Sequence, residues 1–269
     1  MINKFLSYLI NKNVVVSLAA FSLYKVTEIL FNFNDLKTGF FVFFSTFTAY
    51  NYMKNISSLN HHKLFDKKNK ELILLVLFFV IITINFYNYF FLKLISPVIV
   101  ISFLYPLNIR ISNFRICIRS IPLFKVFLIS FVWSYITYLM PLIYNGFDID
   151  FNILKYFTLR FLFIFAISIP FDIRDFNVDK ILTFPRLLGI QKSKYLSWLL
   201  MLIFQLIILV DLFNSQISIP VFLALFLSIE LSSLVIYYVN TKRTNLFYGL
   251  LVEGLSIIMC LFVLITKFF

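Results

Sequence analysis

The sequence predicts an all-α polytopic membrane protein with about nine transmembrane helices in one bundle. Three observations predict it. Mean hydropathy is +0.94, and 61% of the 269 residues are hydrophobic against 13% charged, a balance foreign to soluble domains. The apolar residues lie in long continuous runs rather than alternating, which argues against a closed β-barrel. Threaded through a bilayer from an inside N-terminus, eighteen of the 24 Lys and Arg fall on one side, the bias of cytoplasmic loops.

A spanning helix needs roughly 20 mostly apolar residues. Runs of that kind lie at 14–31, 36–53, 71–87, 89–107, 121–143, 152–171, 195–213, 219–239 and 247–266. The third and fourth meet tightly around Asn85–Asn88, so eight spans is the competing count. Lys4 and Lys12 flank a short apolar patch with no small-residue cleavage site after it, so the first span is expected to be an uncleaved anchor. The longest polar run is only about 54–70, and one membrane domain over 1–269 is expected. Cys117 and Cys260 suggest neither a disulfide framework nor zinc. The net charge of +12 follows the inner loops, so it reads as topology and anionic lipid contact rather than nucleic-acid binding. The same loops suit an anionic substrate. The expected location is a bacterial inner membrane, with the N-terminus and the charged loops cytoplasmic. The 37 Phe read mainly as lipid-facing surface, with an aromatic cavity for a greasy substrate as the alternative.

Against this apolar background the run "PFDIRDFNVDK", Pro170 to Lys180, gathers three carboxylates. On a helix continuing past Pro170, Asp172, Asp175 and Asp179 fall at i, i+3 and i+7, within an arc of about 60°. Three like charges on one face require water or cations, because a carboxylate at mid-bilayer costs on the order of 3 kcal/mol. Mg²⁺ suits such a set, taking one or two carboxylates and filling its octahedron with water and phosphate oxygens. Arg174 falls on the opposite face; Lys180 is nearer and suits an anion. A solvated acidic helix end is the competing reading of the same residues.

"DIRDFNVDK", followed by "TFPRLLG" from Thr183 to Gly189, resembles the second aspartate motif of the UbiA superfamily of intramembrane prenyltransferases. "LYPLNIR", Leu104 to Arg110, resembles that family's Tyr-Pro segment. The resemblance implies a nine-helix fold in which Mg²⁺, held by two facing acidic motifs, binds a prenyl diphosphate. It implies Asp172, Asp175 and Asp179 as metal ligands. Asn51, Lys54, Asn55, Tyr105, Arg110, Arg174 and Lys180 are the implied diphosphate and substrate contacts. The implied reaction transfers an isoprenoid chain to a lipophilic acceptor, the metal and basic residues stabilising the departing diphosphate.

The first acidic motif departs from the family. With its Asn on Asn51, the three aspartate positions hold Tyr52, Asn55 and Leu59. Asp66 lies too late, and His61 and His62 read as a solvated loop pair. Lys54 is suited to touch phosphate directly, or to act as a positive-inside anchor. Two acids sit inside spans: Glu230 and Glu253 suggest a relay, or carboxyls bonded to neighbouring Ser. Lys25 and Glu28 are spaced to neutralise each other. Three functions follow. The first is a prenyltransferase; the second is a non-catalytic isoprenoid- or lipid-binding relative; the third, resting on Glu230 and Glu253, is a transporter, against which no Gly/Pro-broken helix pair appears.

Overall fold

The computed structural model describes residues 2–57, 87–107, 109–111, 114–116, 118–178 and 181–268, with backbone alone for residues 2, 3, 55–57 and both strands. The expected third span up to residue 86, and with it Leu59, His61, His62 and Asp66, lies outside the described residues, as do Cys117, Asp179 and Lys180.

Helix α1 (Ile2–Asn11) meets α2 (Val14–Leu30) at a 68° bend. The bend is made at Asn13, whose φ of 60° is a left-handed conformation asparagine tolerates. Helix α3 (Leu36–Ser57) follows. Helix α4 (Tyr89–Leu104) starts on an Asn88 cap that accepts from the Phe91 amide at 2.9 Å. Strands β1 (Ile109–Ile111) and β2 (Phe114–Ile116) form a small antiparallel hairpin that hydropathy alone does not announce. Then come α5 (Phe124–Tyr144), α6 (Phe151–Arg174), the short α7 (Phe184–Leu188), α8 (Ile190–Phe213), α9 (Ile219–Tyr237) and α10 (Phe247–Phe268). Helix α5 carries a π turn at Tyr135–Leu139, and α10 opens on another at Phe247–Val252.

Five of these helices, α5, α6, α8, α9 and α10, are long and apolar enough to cross a membrane, and the bent α1–α2 pair makes a sixth. They fall on the runs predicted from 121 onward and on the first. Helix α3 has the length but is less apolar, and α4 has only 16 residues. The count of nine is therefore not reached among the described residues.

The helices touch in a closed circuit: α2 on α10, then α9, α8, α6 and α5, whose π turn returns to α2. Helix α3 packs outside α2, and α4 against the Met140–Tyr144 end of α5. In lipid, packing rather than water exclusion must hold such contacts, which favours small residues. Buried Ser130 and Ser134 on α5, and Ser228 and Ser232 on α9, supply them. Each hydroxyl donates to the carbonyl four residues back at 2.6–2.7 Å, leaving a small, satisfied surface. At Gly249, a Cβ would lie 2.6 Å from Ile10, so the end of α1 rests directly on the start of α10. Arg160, buried within α6, donates to Leu23 O at 2.5 Å and Thr27 Oγ1 at 3.3 Å, tying α6 to α2.

Candidate functional site

Helix α6 continues past Pro170 but ends at Arg174. Asp175 is its C-cap, at φ −87° and ψ 6°, and the chain then tightens into i−3 bonds, Phe176 N to Ile173 O and Val178 N to Asp175 O. Asn177 sits in this turn, where its type is favoured. The expected helical face carrying Asp172, Asp175 and Asp179 thus stops at Asp175, the C-cap, and Asp179 lies outside the described residues.

Each described carboxylate has its own cation. Asp172, 2% exposed, accepts from Lys125 Nζ at 2.8 Å. Lys125 is held there by the start of α5. Leu123 takes a left-handed φ of 61°, and its amide donates to Leu182 O at 3.0 Å. Such a conformation costs a leucine roughly 1–2 kcal/mol, so the surrounding contacts fix it. Asp175 accepts two bonds from Arg174, Nε at 2.7 Å and Nη2 at 3.0 Å, a planar fork-to-fork match. The placement of Arg174 away from the carboxylates is thus corrected for Asp175, because the helix ends between the two residues and lets the side chains meet. The guanidinium lies over Phe171 and Tyr248, 5.3 and 5.7 Å from the ring centroids.

Further groups gather at this end. Glu253 of α10 has Arg174 as its charged neighbour. It also bears on Tyr50 of α3, which packs edge-on against Trp133 at 6.3 Å and lies within electrostatic range of Tyr105. The Thr183 hydroxyl is buried and makes no hydrogen bond among the described residues. Beside these, Arg186 donates to Phe176 O at 3.0 Å and borders an open depression of about 520 Å³ with Phe176, Asn177 and Leu182. A second, of about 430 Å³, is bordered by Asn240, Thr241, Lys242 and Arg243.

The other predicted contacts divide. Tyr105 is the buried C-cap of α4. Asn51 instead bonds Asn13 Nδ2 at 3.1 Å and the Lys12 carbonyl at 3.3 Å, and Lys54 donates to Asn11 O at 2.7 Å; both bind α3 to the α1–α2 bend. Tyr52, at the first aspartate position, stacks on Phe103 at 5.5 Å. Asn55 lies in the last turn of α3 and Arg110 in β1 opposite Arg115, both described by backbone alone. Glu230 is exposed and accepts from Gln205 at 2.7 Å rather than from a serine. Lys25 and Glu28 pair as predicted, at 2.8 Å. Lys125 is the residue sequence reasoning missed. It lies 47 positions before Asp172, and nothing in spacing or pattern connects two residues on separate helices.

The fit of Mg²⁺ can be judged on these donors. The ion needs oxygens free to enter a near-ideal octahedron. Asp172 and Asp175 already hold side-chain cations, one of them bidentately. Among the described residues no three His, Cys, Asp or Glu cluster as metal ligands, and Tyr52 offers no carboxylate from α3. As they stand, Asp172 and Asp175, the two described members of the predicted ligand set, are paired to cations and do not fit Mg²⁺.

No family model matches the sequence, and no curated protein does. The fold is matched by solved structures. A UbiA homolog from Aeropyrum pernix K1 superposes with a TM-score of 0.63 at 14% identity, over 94% of this chain and 98% of that one. A digeranylgeranylglyceryl phosphate synthase superposes at 0.54 with 16% identity, over 97% and 95%. The chain is a predominantly helical membrane protein. It shares its fold with these two solved structures, the UbiA homolog and the synthase.

Proposed function

We propose that the chain is an intramembrane prenyltransferase, moving an isoprenoid chain from a prenyl diphosphate to a lipophilic acceptor. The observation that carries this reading is the whole-chain UbiA fold with a charged, aromatic-lined helix end where α6, α5, α3 and α10 converge. In the proposed reaction the allylic C–O bond ionises and diphosphate departs with the electron pair. The acceptor then attacks the carbocation and loses a proton. Charge grows on the departing oxygens, so fixed cations nearby, Lys125, Arg174 and Arg186, act where the transition state differs most from the ground state. The Phe171 and Tyr248 rings hold the Arg174 guanidinium, and Trp133 adds an aromatic face suited to a carbocation. The test is purified protein with radiolabelled prenyl diphosphates and a membrane lipid extract as acceptor source. Labelled, chloroform-soluble product that diminishes in Arg174→Gln is expected; absence of product across prenyl chain lengths overturns the reading.

A second reading, a non-catalytic isoprenoid-binding relative, is favoured by Tyr52, which packs against Phe103 where the family resemblance places a carboxylate. Saturable prenyl diphosphate binding without product selects it. For the transporter reading, the exposed Glu230–Gln205 contact removes one of its two supports.

A further inference from the structure

Resting on the proposed isoprenoid-diphosphate reading, we infer that this chain binds the anionic head of its substrate without a divalent metal, Lys125 and Arg174 filling the charge role the resemblance gives to Mg²⁺. The electrostatic problem of an aspartate-lined diphosphate site is repulsion: ligand and carboxylates carry the same sign, and a metal between them inverts it. Here the carboxylate charge is cancelled by side chains. Lys125 neutralises Asp172 at 2.8 Å and Arg174 neutralises Asp175 through two bonds. The two described aspartates therefore present no net negative charge to an incoming anion.

The pairs also leave donors. A guanidinium has five N–H groups in a fixed fork; Asp175 engages Nε and Nη2 of Arg174, and Nη1 bonds no described residue. The stacking of the guanidinium over Phe171 and Tyr248 fixes the plane in which those N–H groups lie. The buried Thr183 hydroxyl, without a hydrogen bond among the described residues, adds a further polar group in the segment that Leu123 bonds beside Lys125. The surrounding depressions are rimmed by Arg186, Lys242 and Arg243, so the wider field also favours an anion. On α3 the same change is visible from the other side: where the family resemblance calls for facing carboxylates, Tyr52 is packed against Phe103. With no carboxylate at Tyr52 and the two described aspartates of α6 paired to cations, side chains take the charge role of the ion.

The experiment is equilibrium binding of farnesyl diphosphate to the full chain in detergent, once in EDTA and once in millimolar Mg²⁺. Affinities within about threefold of each other are expected. Binding that needs Mg²⁺, with a gain of about tenfold or more, overturns the inference and leaves the prenyl-diphosphate reading standing. No binding in either condition overturns both. In EDTA, Lys125→Gln and Arg174→Gln are each expected to lose affinity by about tenfold or more, with Arg174→Lys, which keeps the charge, recovering part of the loss. Unchanged affinity in well-folded Gln variants, judged by monodisperse elution, removes the assignment of these cations. If the Gln variants do not fold, the wild-type metal comparison still decides.

Discussion

Lys125 and Asp172 show how a single pair can dominate local energetics in this bundle. The carboxylate is 2% exposed and the lysine side chain 14%, so neither has water to fall back on. Removing one partner of a buried ion pair typically costs about 3–5 kcal/mol, whereas replacing both with apolar groups is often neutral. Lys125→Ala should therefore lower thermal stability in detergent strongly, and Lys125→Met combined with Asp172→Leu should recover most of it. A double variant as unstable as the single one would show that the pair contributes more than mutual neutralisation. Gly189 makes a different demand. It joins α7 to α8 at φ +86° and ψ 158°, a region essentially restricted to glycine, where a substitution costs on the order of 1–3 kcal/mol. A Cβ there would meet nothing within 4 Å, so Gly189→Ala isolates backbone strain from packing. A fall in melting temperature with normal elution is expected; unchanged stability would show that the loop relaxes.

Helix boundaries explain both what the sequence shows and what it hides. Apolar run length locates α5, α6, α8, α9 and α10, because a span is a property of one segment. The site is a property of several. The acidic end of α6 stands out for its charge alone, yet the ions that neutralise it come from α5 and from the residue where α6 stops, and a helix's last turn is not fixed by hydropathy. Asn51 and Lys54 illustrate the same limit: their types suit phosphate, and hydropathy does not reveal that the bend at Asn13 also brings the α1–α2 junction within their reach. The α6–α2 contact carries a further buried cation. Arg160 lies nine residues into α6, about 14 Å along it, and its described bonds go to a carbonyl and a hydroxyl rather than a carboxylate. Its volume and stem fill space that its charge does not need. Arg160→Ala should destabilise by about 1–3 kcal/mol through lost bonds, while Arg160→Met, of similar length and uncharged, should retain more stability. Equal losses in the two variants, read from thermal unfolding, would assign the contribution to the hydrogen bonds alone.

At the scale of the molecule, charge separates along the bundle axis. Ile10 rests on Gly249, which puts the α1–α2 bend at the same end as the start of α10. Tyr248 lies under Arg174, so the end of α6 is there too, and Lys194, which donates to Tyr237 O, brings the start of α8 and the end of α9. Lys12, Lys54, Lys125, Arg174, Arg186 and Arg243 all belong to this end. At the opposite end the start of α6 meets the end of α8, where Lys155 bonds Asp211 at 2.7 Å and the loop before α6 carries Asp148 and Asp150. A bundle with this polarity has one orientation that satisfies the positive-inside bias, with the candidate site facing the cytoplasm. That orientation is testable with Asp148→Cys and Lys242→Cys, both positions being exposed, each made after Cys117 and Cys260 are replaced by Ser. A membrane-impermeant maleimide added to spheroplasts should label Asp148→Cys and spare Lys242→Cys, and inverted vesicles should reverse the pattern. Labelling of Lys242→Cys from outside would place the charged end in the opposite compartment, and with it any diphosphate the site receives. A soluble diphosphate donor reaches the membrane from the side where it is made, so the labelling pattern decides whether substrate supply and site face each other.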